Sequence, residues 1–347
     1  MIRDAILKLS LRKDLSFKEA QAIFKEIFDN KATHSQIAAF LVALRMKGET
    51  EEEISAAADI IRNKALKLNI RESSLSKSNS DEVIFDTCGT GGSGVNKFNI
   101  STAVSFIVSA SGIKVAKHGN RAMSSSCGSA DVFEDLGIKI DASLEAMQET
   151  IKKTGIGFLY APLYHPALKE VAAIRRELGI RTIFNILGPL CSPVYATHQL
   201  LGVFDKSLVE KMARVLRKLG TKKAFVVCGR DLKDEITLTG ETEVCFLSNR
   251  KIRKFTLRPF DFGLKKIKLK DILVKNVKES TVIIKNILKG QKGPARDIVL
   301  ANASSCFYIL GKVKNFREGV SMGASLIDSK AAYKKYEYFK NTLDSKI

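Results

Sequence analysis

Beyond residue 82 the chain alternates short apolar runs with longer helical patterns, and this alternation narrows the folds open to it more than any other feature. The runs 83–86, 113–116, 157–160, 183–186, 199–204 and 223–228 have the length and apolar content of buried strands. Strands separated by helices pair in parallel through crossovers, so an α/β domain with a central, mainly parallel sheet is expected. Two long helical patterns, about 294–310 and 316–343, close the chain.

Residues 1–70 have a different character. Ser16 with Glu19, Thr33 with Gln36 and Thr50 with Glu53 each fit the S/T-x-x-E/Q capping box. There the hydroxyl and the Glu or Gln side chain satisfy two backbone donors that the helix cannot. Helices over 17–29, 34–47 and 51–68 follow, with Gly48 as a stop. Ile37, Phe40, Leu41, Leu44 and Met46 keep one side of the second apolar, and Ile54, Ala57, Ala58, Ile61 and Ala65 do so in the third. Residues 1–70 therefore read as a small helical bundle, the Ser-rich stretch 71–80 as a linker, and 81–347 as the α/β domain.

Composition excludes several classes. With 45% hydrophobic and 27% charged residues and only 6 prolines, the chain is neither disordered nor collagenous. It has no apolar run of the ~20 residues that a membrane span needs, so a cytoplasmic protein without a membrane partner is expected. The six cysteines show no metal or disulfide spacing and read as reduced thiols. The net charge of +20 favours anionic partners. The lysine-rich stretch 250–278 is interleaved with Phe255, Phe260 and Phe262 and reads as a folded segment with a solvated face, not as a specific nucleic-acid site.

The loop Asp86-Thr87-Cys88-Gly89-Thr90-Gly91-Gly92-Ser93-Gly94 follows a strand and leads to Asn99-Ile100-Ser101-Thr102 at a helix start. Glycines let several N–H groups converge on one ligand while the helix adds its positive end, which suits phosphate. A plain tight turn, with Asn99 only a helix cap, is the alternative. The run Lys117-His118-Gly119-Asn120-Arg121 ends another strand, where open α/β sheets bind ligands. Lys117 offers a point charge for phosphate, and His118 by itself is more often a structural hydrogen bonder than a catalyst. The hydroxyl-rich segment 124–129, which includes Ser125 and Ser129, is another anion-friendly loop before a helix.

On these motifs the chain resembles the anthranilate phosphoribosyltransferase family of tryptophan biosynthesis over nearly its whole length. The resemblance extends to Ser129-Ala130-Asp131, Tyr164-His165-Pro166-Ala167, Arg175-Arg176-Glu177-Leu178-Gly179, the run 181–190 and Asp234-Glu235. It implies transfer of phosphoribose from phosphoribosyl pyrophosphate (PRPP) to the amine of anthranilate, giving N-(5-phosphoribosyl)anthranilate and pyrophosphate with the help of two Mg²⁺ ions. Gly89, Gly92, Ser93, Lys97, Asn99, Ile100, Ser101, Thr102, Lys117, His118, Gly119, Asn120, Ser125 and Ser129 would line the PRPP site. Gly89, Asn120 and Arg175 would meet anthranilate, and Ser101, Asp234 and Glu235 would ligate metal. No residue is assigned as general acid or base.

The same resemblance implies a nucleoside phosphorylase/phosphoribosyltransferase-like architecture. A small N-terminal helical domain packs on the larger α/β domain, helices from about 166–190 join the small domain, and a homodimer forms through it. Two positions depart from the family's usual pattern. Ser93 stands where Asp is common, and Lys97 where Thr is common, so the loop is more positive and its metal stoichiometry is open. A pyrimidine-nucleoside phosphorylase, or a nucleic-acid-binding relative without activity, is the alternative; retention of Lys117, Arg175, Asp234 and Glu235 favours the transferase.

Overall fold

The computed structural model describes residues 1–71, 82–122 and 127–344. The expected linker at 71–80, Arg71 apart, and Ser125 lie outside the described residues. Four helices, α1 (Ile2–Ser10), α2 (Phe17–Phe28), α3 (His34–Lys47) and α4 (Glu51–Lys64), open the chain. The capping boxes at Ser16, Thr33 and Thr50 are all formed, each hydroxyl accepting from the backbone three residues on and each acidic or amide side chain reaching back. The third of these capped helices ends at Lys64, short of the expected 68, as Ala65 turns extended. Helix α1 carries no side-chain cap, the local signal on which the other three are recognised.

The bundle is tied at Glu53, which is fully buried. Its carboxylate accepts from the Leu15 N–H at 2.9 Å, the Thr50 N–H at 2.8 Å and the Lys47 ammonium at 3.0 Å. Glu53→Gln keeps the shape but turns one acceptor into a donor aimed at other donors. A loss of about 2 kcal/mol is expected. It is read as a lower urea midpoint at unchanged slope; an unmoved midpoint would deny this cluster a part in stability.

The α/β part runs β1 (Ile84–Asp86), α5 (Ile100–Ala110), β2 (Lys114–Gly119), α6 (Ser129–Asp135), α7 (Leu144–Thr154) and β3 (Ile156–Tyr160). Helices α8 (Ala161–Tyr164), α9 (Lys169–Leu178) and α10 (Phe184–Leu187) then precede β4 (His198–Gly202), α11 (Ser207–Lys218) and β5 (Lys223–Gly229). A hairpin, β6 (Thr242–Ser248) and β7 (Lys251–Leu257), is followed by α12 (Val277–Leu288), α13 (Pro294–Leu310), α14 (Phe316–Asp328) and α15 (Ala331–Asp344). The seven-stranded sheet has the order β3-β2-β1-β4-β5-β6-β7. β1 to β5 are parallel and the last two strands antiparallel, so the sheet is mainly parallel as expected.

Two further sequence expectations need correction. The run 183–186 is not a strand: Phe184 to Leu187 form a short helix, and the Phe184 ring packs edge-on against Phe24 and Phe28 of the bundle. The pattern 316–343 is two helices, broken at Ser329 and Lys330, where Lys330 takes a left-handed φ of 64°. The lysine-rich stretch supplies β7, paired to β6 through a turn in which Asn249 and Arg250 both have positive φ. Its Lys251, Arg253 and Lys254 are exposed on the outermost strand, where charge discourages pairing with another sheet edge.

Two apolar cores flank the sheet. One joins α5, α7, α13 and α15 to β1–β3; the other is shared by the bundle, α9–α11 and the opposite face of β4–β6. The bundle thus has no core of its own but continues that of the sheet. This continuity sets the bundle and α9 over the carboxyl ends of the strands, where α/β sheets open a crevice.

Candidate active site

A cleft of about 630 Å³ lies at the ends of β1, β2, β4 and β5, within the range of small-ligand sites. The glycine loop forms one wall. Gly91, Gly92 and Gly94 have φ of 64°, 73° and 72°, a region that side chains disfavour. The loop is pinned where the Thr90 N–H donates to the Gly202 carbonyl at 2.8 Å, and a Cβ at Gly89 would lie 3.1 Å from that same oxygen. Asn99 caps α5, its Oδ1 accepting from the Thr102 N–H at 3.1 Å and the Ser101 hydroxyl at 3.2 Å. Asn99 therefore holds the helix start as well as lining the cleft.

Lys117, only 2% exposed, reaches across to this wall. Its ammonium donates to Ser101 Oγ at 2.9 Å and to the Thr87 carbonyl and hydroxyl oxygens, both at 3.3 Å. Beneath it, Asp86 Oδ1 accepts from the Cys88 N–H at 3.0 Å and the His118 N–H at 3.2 Å, tying the glycine loop to the end of β2. Burial pushes the Asp86 carboxyl up to about 7, against the pull of Lys117. Burial also pushes His118 down to about 3 and His165 to about 4, so both imidazoles are neutral near pH 7. His118 Nδ1 lies 3.1 Å from the Gly188 carbonyl oxygen, which can only accept, so the ring proton sits on Nδ1.

The loop after β5 brings the acidic pair. A Cβ at Gly202 would overlap the Asp234 carbonyl, and one at Gly229 would crowd the Glu235 carbonyl; only glycines let this loop lie so close to the strand ends. Asn302 of α13 fixes the next residue, donating to the Ile236 carbonyl at 2.9 Å and accepting from its N–H at 3.2 Å. Asp234 pairs with the Lys97 ammonium at 2.6 Å. Glu235 is 9% exposed, and burial, reinforced by the neighbouring Asp234, raises its carboxyl to about 7 despite Lys97 and Lys117.

Two carboxylates and the Ser101 hydroxyl are the hard oxygen donors that magnesium prefers, and Glu235 sits where a cation would relieve its burial. Among the described residues no group of three His, Cys, Asp or Glu side chains is placed to hold a metal. An ion here fits only if the substrate's phosphate oxygens and water complete its six positions.

The opposite side of the cleft comes from α9 and the segment after it. Arg175 lies 5.4 Å above the Phe184 ring, and burial lowers its pKa. Arg181 donates to the Gly92 carbonyl at 2.6 Å while stacked 4.3 Å from the Phe204 ring.

Gly89, Gly92, Ser93, Lys97, Asn99, Ser101, Lys117, His118, Gly119, Asn120, Ser129, Arg175, Asp234 and Glu235 all line the one cleft. Ile100 and Thr102 do not; both are fully buried at the start of α5. Asp86, Arg181 and Phe204 are missing from the sequence-derived set. Asp86 opens the glycine-loop segment and Arg181 the run 181–190, but no local pattern gives any of the three a role, which follows from how segments distant in sequence meet.

The fold and cleft define a glycosyl transferase. The family's α/β-domain model matches residues 81–333 and its helical-bundle model residues 3–65. Anthranilate phosphoribosyltransferases of Geobacter sp. (strain M21) and Clostridium kluyveri (strain ATCC 8527) are 49% and 45% identical, covering 97% and 98% of this chain and 97% and 99% of their own. The crystal structure of the Thermus thermophilus enzyme has a TM-score of 0.90 at 35% identity, covering 98% of this chain and 99% of that one. The Saccharomyces cerevisiae enzyme in complex with PRPP and Mg has a TM-score of 0.89 at 27% identity, covering 99% and 98%. The chain belongs to the anthranilate phosphoribosyltransferase family, and is thus an enzyme of the pentosyltransferase class.

Proposed function

We propose that the chain transfers the phosphoribosyl group of PRPP to the amine of anthranilate, with Mg²⁺, in tryptophan biosynthesis. The observation that carries this reading is one cleft holding a glycine loop with buried Lys117, an acidic pair, and a guanidinium on the facing helix. The glycine loop, Asn99, Ser101, Lys117, Asn120 and Ser129 would take the donor's phosphates and ribose. Arg175, with Gly89 and Asn120, would take the acceptor.

In the reaction the amine lone pair forms the bond to the anomeric carbon as the bond from that carbon to the pyrophosphate oxygen breaks. The electron pair leaves with pyrophosphate, and the amine proton passes to solvent or to the departing phosphate. An aromatic amine is neutral at physiological pH and needs no base before it attacks, consistent with two cleft imidazoles of low basicity. The protein's part is to align the two reactants and to stabilise charge on the leaving group. Ser101, Asp234 and Glu235 would hold magnesium, which supplies further positive charge to the pyrophosphate.

We further assign the helical domain to 1–70, the linker to 71–80 and the catalytic domain to 81–347, with 166–190 joining the first. A cytoplasmic homodimer is proposed. Six buried cysteines, none of them in a disulfide, suit a reducing compartment, and exposed Leu7, Leu11 and Met46 offer the bundle an apolar contact. In the direct test, anthranilate fluorescence decays when enzyme, PRPP and Mg²⁺ are all present and holds steady when any one is omitted. Steady fluorescence with folded enzyme and both substrates would refute the activity.

A further inference from the structure

We propose that Lys97 acts as a chain-borne cation in place of a second divalent ion, so that the acidic pair takes one magnesium per active site. This rests on reading Asp234 and Glu235 as the metal-binding pair. The Lys97 ammonium lies 2.6 Å from Asp234 Oδ1, 3.1 Å from Ser93 Oγ and 3.4 Å from the Leu232 carbonyl oxygen. Each of its three N–H groups therefore has an acceptor. With side chains 10% and 12% exposed, Lys97 and Asp234 form a largely enclosed pair and not a solvated surface contact.

The backbone holds this arrangement in advance. Lys97 forms a β-bridge with Leu273, and on either side the Val274 N–H donates to the Asn96 carbonyl at 2.9 Å and the Phe98 N–H to the Ile272 carbonyl at 3.1 Å. The lysine stem is thereby anchored at its base. A magnesium ion on Asp234 would sit at about 2.1 Å from a carboxylate oxygen and so within a few ångströms of the ammonium. Two positive charges at that spacing, with little water between them, repel strongly. Glu235, buried beside Ser101, is left as the carboxylate for a divalent ion. The leaving pyrophosphate then meets one metal ion and one ammonium.

The test is a count of metal ions. Crystals are soaked with Mn²⁺ and PRPP, and anomalous difference peaks are counted in the cleft. One peak beside Glu235 is expected in the unaltered enzyme, and two in both Lys97→Thr and Lys97→Met. The methionine variant keeps the bulk and removes the charge, so a second peak with threonine alone would assign the effect to space and overturn the proposal. Two peaks in the unaltered enzyme, with Lys97 swung off Asp234, would overturn it as well, as would a single peak throughout. PRPP bound with no peak in any of the three proteins would fell the magnesium reading itself, and the role of Lys97 with it. In solution, electron paramagnetic resonance of free Mn²⁺ should show about one additional ion bound per site in either variant.

Discussion

Glu235→Ala is expected to lower kcat by about a thousandfold and to flatten the response of the remaining activity to magnesium. Removing one preorganised group that acts on developing charge costs on the order of 10² to 10³ in rate, and here a metal site is lost with it. Glu235 is suited to this because it is enclosed: burial raises its carboxyl to about 7, so an adjacent cation is the natural partner for its charged form. The variant should fold, since the loop is held by Asn302 through the backbone of Ile236 and by the glycines beneath it, not by the Glu235 side chain. Circular dichroism and a magnesium titration of initial rate are the measurements. A titration curve superimposable on that of the unaltered enzyme would remove Glu235 from the metal site.

The parts of this molecule that read directly from sequence are those whose signals are local. A capping box spans four residues and involves only its own turn, so the starts of α2, α3 and α4 are legible at Ser16, Thr33 and Thr50. The parallel strands are legible because burial on both faces makes each a short continuous apolar run. The same rule misleads at 183–186, where four apolar-rich residues suit a strand or one helical turn equally, and the choice is made by the bundle's Phe24 and Phe28. The β6–β7 hairpin is hidden because its turn is Asn249-Arg250 without glycine and its outer strand is filled with lysine and arginine.

The site divides in the same way. The glycine loop and the Lys117 run are contiguous stretches whose residue types suggest phosphate without any fold. Arg175, Asp234 and Glu235 have no such local pattern; on residue chemistry alone they pass for a surface arginine and a solvated turn, and the family resemblance singles them out. Asp86 and Arg181 stand inside stretches that the motifs and the resemblance cover, yet neither approach gives them a role. Asp86 matters through two backbone N–H groups, one of the glycine loop and one of β2, and Arg181 through a carbonyl of the glycine loop. Such roles exist only once β1, β2 and the segment after α9 have been brought together.

Arg175→Ala is expected to raise the KM for anthranilate about a hundredfold while leaving that for PRPP within about twofold. A guanidinium makes two parallel charge-assisted hydrogen bonds to a carboxylate, and such bonds contribute about 1.5 to 3 kcal/mol each. The site favours it further, because burial lowers the Arg175 pKa and so marks a partly desolvated cation that gains from an anionic partner. Its position over the Phe184 ring leaves a competing explanation, in which the arginine serves only to pack α9 against α10. Packing and recognition differ in what they change. A packing loss lowers the melting temperature and weakens both substrates, whereas loss of the carboxylate contact falls on one. Arg175→Lys should recover only part of the affinity, since an ammonium is a point charge without the planar fork. Aniline, which lacks the carboxylate, completes the comparison: the unaltered enzyme should discriminate against it by about a hundredfold, and Arg175→Ala should use anthranilate and aniline nearly alike. Undiminished discrimination in the variant would place the carboxylate contact elsewhere in the cleft.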